Sequence, residues 1–140
     1  MAIIVIWWAA DKCEDFAVNI LLWALQILLA LAFFTAGSMK LTQPRPRLIT
    51  RMNWVEAVPQ PAVRTIGSLE VVGAVGLILP AALGIAVILT PVAAVGLGLI
   101  MVGAATFHTR RHEPSGIATN AVLLALAVVI AWGRFGPYHF

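Results

Sequence analysis

No charged side chain occurs between positions 71 and 107, a run of 37 residues interrupted only by Pro80, Thr90, Pro91, Thr106 and small residues. At ~1.5 Å rise per residue a single helix of that length would reach roughly 55 Å, against ~30 Å of bilayer hydrocarbon. The run therefore reads as two membrane-crossing helices meeting at an apolar corner near Leu79-Pro80-Ala81-Ala82. Before it, residues 17–37 are apolar except for Asn19, Gln26 and Thr35; after it, residues 117–132 are apolar again, opened by Pro114-Ser115-Gly116. The pattern predicts spans over 17–40, 62–80, 84–108 and 117–134. Because the runs are continuously apolar and do not alternate, helices are expected and a barrel is not. The fold class is all-α, an up-and-down bundle of four transmembrane helices.

Two segments stand apart from the spans. Residues 1–16 form an expected leader, interfacial or disordered: Met1–Ala10 is apolar but too short to cross, carries Trp7 and Trp8, and is cut off by Asp11-Lys12-Cys13-Glu14-Asp15. It has no basic start of the kind a signal peptide carries. Between spans one and two, Leu48, Ile49, Met52, Val55 and Val58 recur at helical spacing, while Arg47, Arg51 and Glu56 fall mostly elsewhere. A short amphipathic helix near 47–57, bracketed by Pro44, Pro46, Pro59 and Pro61 and anchored by Trp54, should lie along the interface as a structural collar. The membrane domain then covers 17–135, followed by a short tail over 136–140.

Composition fits this layout. Hydrophobic residues make up 61% of the chain and charged ones 11%, against ~25% charged in a soluble domain. Of the nine Lys and Arg residues, Lys40, Arg45, Arg47, Arg51 and Arg64 fall in the first connection and Arg110 and Arg111 in the third. Only Lys12 and Arg134 lie on the other side, so the positive-inside rule places loops 38–64 and 108–116 in the cytoplasm and both termini outside a cell (inner) membrane. Basic residues that flank apolar spans make no soluble basic face, which argues against nucleic acid. One cysteine, Cys13, excludes an internal disulfide or a CxxC redox pair.

The serpentine also ranks the polar residues. Lys40 ends span one, Glu70 lies about two turns into span two, His108 ends span three and Asn120 begins span four, so all four belong toward one membrane face. A charged, unpaired Glu70 in hydrocarbon would cost ~2.5 kcal/mol or more, so it should face the bundle interior. There it is either protonated or paired with Lys40, Arg64 or His108. Such a pair can fix helix register alone, or it can handle a ligand or a proton. His108 can equally be an interfacial side chain beside Arg110, Arg111 and His112. Gln26, mid-span, needs hydrogen-bond partners and can serve simply to join helices. Gln26, Lys40, Glu70, His108 and Asn120 are the ligand or polar-pocket candidates; no metal set, nucleophile elbow, phosphate loop or carboxylate dyad is seen. Gly37, Gly67, Gly73, Gly76, Gly96, Gly98 and Gly103 suit close helix contact, with Ala94-xxx-Gly98 a small-xxx-small step. Pro91 is expected to kink span three by freeing the Val87 carbonyl.

These residues carry a family resemblance. Ala36-Gly37-xx-Lys40-Leu41, Ile66-Gly67-xx-Glu70-xx-Gly73, Leu77-Ile78-Leu79-Pro80, Leu89-Thr90-Pro91-xx-Ala94 and Gly103-Ala104-xxx-His108-x-Arg110-Arg111-x-Glu113 resemble the DoxX-like family of small membrane proteins. Asn120 and Gly133-Arg134-Phe135 complete the pattern over about residues 18–135. The resemblance implies a four-helix bundle. It says less of activity, since relatives include a membrane subunit of a thiosulfate:quinone oxidoreductase and components of membrane redox or thiol-stress complexes. Three classes follow. The leading expectation is an accessory or scaffold subunit of a redox-stress complex in the bilayer, with a protein partner or a second copy. The alternative is a quinone- or lipid-binding oxidoreductase subunit, itself non-catalytic, with quinone the candidate cofactor. Last comes a proton-coupled exporter, because small exporters carry their acid in the first helix and this chain carries Glu70 in the second.

Overall fold

A computed structural model describes the backbone of residues 2–140 and the side chains from Lys12 onward except Cys13. Trp7, Trp8 and Cys13, singled out above, lie outside the described side chains. Five α-helices follow in order: α1 (Ala2–Thr42), α2 (Arg45–Arg51), α3 (Gln60–Leu83), α4 (Leu89–Arg110) and α5 (Pro114–Phe135), with a 3₁₀ turn at Asn53–Ala57. Among the described residues, the stretch Glu14–Thr42 of α1 and the whole of α3, α4 and α5 are long and apolar enough to cross a membrane. The expected four-span bundle with a short helix between spans one and two is the observed architecture. The backbone of the expected leader is helical from Ala2 and continuous with span one.

Neighbours pack in the order α1–α3–α4–α5, with α1 and α5 touching less extensively. The core is a ladder of Leu29, Phe33, Leu77, Leu97 and Ile130, all nearly inaccessible, while Leu28, Leu31, Val72, Leu99 and Val128 point outward. Outward leucines and valines suit a lipid solvent, so the bundle is held by close packing and not by expulsion of water. Gly37 and Gly67 supply the closest approach. A Cβ on Gly67 would lie 2.8 Å from the Lys40 Cβ and 2.9 Å from the Gly37 carbonyl, so α1 and α3 meet backbone to backbone beside Lys40. Gly73 against Leu97 and Gly76 against Ala93 bring α3 and α4 together nearer their shared corner. Gly96 and Gly103 face open space, contrary to the expectation that every helix glycine is a packing site.

Two expectations about proline are corrected. The corner is at residues 84–88 and not at Pro80, which lies inside the last turn of α3. There Gly84 adopts φ 65°, its N–H bonds to the Ala81 carbonyl, and the Ile85 N–H reaches back to the Pro80 carbonyl at 3.1 Å. That Schellman turn, which glycine enters without steric cost, ends the helix more effectively than the proline does. Pro91 does not kink span three. It falls in the first turn of α4, where its missing N–H has no intrahelical partner to lose, and the Val87 carbonyl accepts from the Thr90 N–H at 3.1 Å.

The interfacial helix is shorter than expected and broken at Met52. Leu48, Val55 and Val63 make a small buried core of their own beneath it, packed by Met39 and Val58. Arg45 closes the segment: its guanidinium donates to the Val58 carbonyl at 3.0 Å and the Glu56 carbonyl at 3.3 Å. This anchored collar roofs one end of the bundle and carries Trp54 over the helix ends.

Candidate functional site

Lys40 lies in the last turn of α1, where a cation meets the negative end of the helix dipole. Glu70 sits on the buried stripe of α3 with Val63, Gly67, Ala74 and Leu77. The Gly37–Gly67 approach brings the base of the lysine stem against α3. Its Nζ donates to both carboxylate oxygens, at 2.6 Å to Oε1 and 2.5 Å to Oε2. Lys40 is 5% exposed and Glu70 3%, so the pair is buried within the bundle. Of the three partners considered for Glu70, the structure selects Lys40. Arg64 is exposed, and His108 is engaged elsewhere.

His108 is held from the loop that follows it. The α4 helix ends with His112 at φ 56°, its N–H on the Thr109 carbonyl and the Glu113 N–H on the His108 carbonyl at 3.1 Å. This turn swings Glu113 back under its own helix end, where Oε2 lies 2.6 Å from His108 Nδ1 and Arg111 Nε donates to Oε1 at 2.8 Å. Gly116 completes the cradle, since a Cβ there would stand 2.5 Å from the same Nδ1. The imidazole is fixed by one nitrogen, and the other is left for a different partner. Asn120, one turn past Gly116, donates to the Gly116 carbonyl at 2.8 Å.

The Arg111 and His108 hydrogen bonds hold the Glu113 carboxyl below the usual carboxylate range. A carboxyl depressed in the folded state adds stability above its unfolded pKa and loses it as the pH falls through the folded value. Acidification should therefore lower the detergent melting temperature of wild type by an increment that Glu113→Gln lacks. Identical pH profiles for the two proteins would mean that the clasp contributes nothing.

Two cavities flank these groups. One, about 360 Å³, opens between α1 and α5 beneath the collar and reaches Ala36, Asn53, Ser115 and Thr119. The other, about 310 Å³, opens between α3 and α4 and reaches Ile66, Ile100, Gly103 and Phe107. Lys40, Trp54, Glu70, Met101, His108 and Asn120 line both. Trp54 stands over the pair with the Lys40 Nζ 5.7 Å from its ring centre, and its edge meets Phe107 at 6.5 Å. Each volume is at the small end of the ~300–1,000 Å³ of small-molecule pockets. The polar groups common to both are one ammonium, one carboxylate, one imidazole, one amide and one indole face. Among the described residues no group of three or more His, Cys, Asp or Glu is placed to hold a metal ion.

The DoxX-like family model matches residues 24–130. The chain belongs to the DoxX-like family. No curated protein and no solved structure gives a match. The matched stretch of this DoxX-like protein takes in Lys40, Glu70, His108 and Asn120, and stops short of Arg134.

Gln26, the fifth candidate, does not reach either cavity. It is fully buried toward the opposite end of the bundle, where its Nε2 donates to the Leu77 carbonyl at 3.0 Å and its Oε1 accepts from Arg134 Nε at 2.6 Å. Arg134 also donates to Asn19 Oδ1 at 2.6 Å and the Tyr138 carbonyl at 2.9 Å, and it lies 4.1 Å from the centre of the Phe140 ring. One guanidinium thus ties α1 to α5, and Gln26 carries the tie to α3. Sequence reasoning treated Arg134 as a flanking charge. The signal that pointed to it was Asn19 and Gln26, seven residues apart and hence on one face of α1, two acceptors in want of a donor. Trp54 and Glu113 were also missed as pocket residues, because the collar's fold over the bundle and the His112 turn are tertiary features.

Proposed function

We propose that this small integral membrane protein is a quinone-binding accessory subunit of a membrane redox complex, with the paired cavities around Lys40 and Glu70 as the binding site. The observation that carries this reading is the doubly hydrogen-bonded Lys40–Glu70 pair forming a wall of both cavities. Buried ion pairs contribute little net stability against apolar packing of the same volume, so one kept at a cavity wall favours a ligand over architecture. Lys40 offers a donor to a ring carbonyl, Asn120 adds an amide and Trp54 a flat face for a ring, while His108, with Nδ1–H turned to Glu113, presents Nε2 as an acceptor for a ring hydroxyl. The accessory role rests on the absence of any self-contained catalytic motif, and on the single cysteine of the chain. Of the three classes, the cavities favour the quinone-binding one within a complex.

Decylubiquinone titrated into detergent-solubilised protein should bind to wild type. It should bind at least tenfold more weakly to the Lys40→Met/Glu70→Gln double variant. Equal affinity for the two would remove the pair from the site and defeat the reading.

The membrane orientation belongs to the same proposal. With seven of nine Lys and Arg residues on the collar side, that side is placed in the cytoplasm of a cell (inner) membrane and both termini outside. Cysteines introduced at Gln43 and Pro114 should resist an impermeant thiol reagent in intact cells. Labelling of both from outside would invert the topology.

A further inference from the structure

The two cavities share their polar wall and differ in the polar groups that only one of them adds. The one between α1 and α5 adds the polar Arg51, Asn53, Glu113, Ser115 and Thr119 to that wall beside apolar side chains such as Phe33 and Leu123, and it lies against the collar and the α4–α5 loop. The one between α3 and α4 adds only apolar side chains and glycine, with Ile66, Ile100, Gly103 and Phe107 at its opening. Each follows from the packing order. Helices α3 and α4 are close where Gly73 meets Leu97 and Gly76 meets Ala93, and the cavity lies beyond that contact toward the collar. Helices α1 and α5 are joined at the far end by Gly133 against Leu22 and by Arg134, and they too leave a cavity toward the collar.

Gly103 marks the apolar opening. It is exposed on the outer surface, lines the cavity, and has nothing within 4 Å of the place where its Cβ would be. It lies seven residues before the end of α4 at Arg110, about 10 Å along the axis, which sets the opening within the hydrocarbon layer and not at the aqueous surface. A gap bounded by apolar side chains at that depth is in contact with lipid tails.

We infer that the ligand is an amphiphile that reaches the site sideways from the bilayer through the α3–α4 gap at Gly103, leaving its apolar chain in that cavity and its polar head at the Lys40–Glu70 wall. This rests on the proposed quinone-binding site and adds the route and the division of the ligand between two chambers. The polar cavity on the α1–α5 side, facing the collar, is the aqueous access for water or a polar co-ligand. A head group held at the shared wall is within reach of both.

The test compares two probes, decylubiquinone and its tail-less parent 2,3-dimethoxy-5-methyl-1,4-benzoquinone, on four folded proteins. Gly103→Leu fills the apolar mouth, Gly96→Leu adds the same side chain at an open position on α4 that lines neither cavity, and Thr119→Trp narrows the polar cavity. In the expected result Gly103→Leu weakens decylubiquinone binding at least tenfold and leaves the tail-less quinone within twofold of wild type. Gly96→Leu changes neither, and Thr119→Trp weakens the tail-less probe more than decylubiquinone. To guard against misfolding, Gly103→Cys in a Cys13→Ser background is converted after purification to its hexyl mixed disulfide with hexyl methanethiosulfonate, methanesulfinate leaving, which should reproduce the Gly103→Leu loss in protein already folded. Wild-type affinity for decylubiquinone in both mouth-blocked proteins overturns the lateral route while leaving the quinone site standing. An equal loss of both probes overturns the division between chambers, and no binding of either probe to wild type overturns the site and the route together.

Discussion

Lys40→Met is expected to lower the detergent melting temperature far more than Glu70→Gln does, and the double variant to recover most of the loss. Removing the lysine leaves a carboxylate in a wall that is 3% exposed, with no second cation in contact, and breaking a buried pair in this way costs ~3–5 kcal/mol. Removing the carboxylate is milder, because the lysine lies in the last turn of α1 and its four-carbon stem can carry the ammonium toward the collar surface. With both charges gone, methionine and glutamine fill about the same space and no orphan charge remains, so stability returns to within ~1.5 kcal/mol of wild type. If the pair serves a ligand, the double variant is folded and yet does not bind. Thermal melts of the three variants check the order. A double variant as unstable as Lys40→Met would show that the pair is architectural and irreplaceable.

Arg134→Met should be the most damaging change outside the cavities. It leaves the buried Gln26 Oε1 and the Asn19 Oδ1 without a donor and removes the cation from the Phe140 ring. Gln26 Oε1 is the buried acceptor left unsatisfied, Asn19 being exposed, so a loss of roughly 1–3 kcal/mol is expected. Arg134→Lys should fall between, since a point charge on a flexible stem cannot address Gln26 and Asn19 as the planar guanidinium does. Adding Gln26→Leu to Arg134→Met should restore part of the loss, as the coupling runs through that contact. The decylubiquinone affinity of folded Arg134→Met should match wild type, because the network lies at the other end of the bundle. A melting temperature equal to wild type would show that the network carries no stability.

These two networks explain what could be read from the chain and what could not. Hydropathy fixes how deep a residue lies, and depth alone brought Lys40, Glu70, His108 and Asn120 toward one membrane face. It does not fix the direction in which a side chain points around its helix. Depth alone therefore allows His108 as a partner of Glu70 and Gln26 as a pocket residue, whereas the first is found on Glu113 and the second on Arg134. The corner near Pro80 was misplaced by a few residues because a proline in the last turn of a helix forfeits a single hydrogen bond, whereas Gly84 supplies the left-handed turn that ends it. The effect of Pro91 likewise depends on where α4 begins, and in its first turn the proline costs no hydrogen bond. Trp54 reads from sequence as an interface anchor, and only the small core of Leu48, Val55 and Val63 brings it over the helix ends to roof the cavities. The cavities arise from which helices touch, an outcome of packing among glycines whose partners the sequence does not name.

The central claim, that the Lys40–Glu70 wall holds a quinone in the bilayer, is most directly tested by extracting isoprenoid quinone from the protein after purification in a mild detergent and counting it per chain. The expected result is a near-stoichiometric amount in wild type and a background amount in the folded Lys40→Met/Glu70→Gln variant. Background quinone in both, or equal quinone in both, would contradict it.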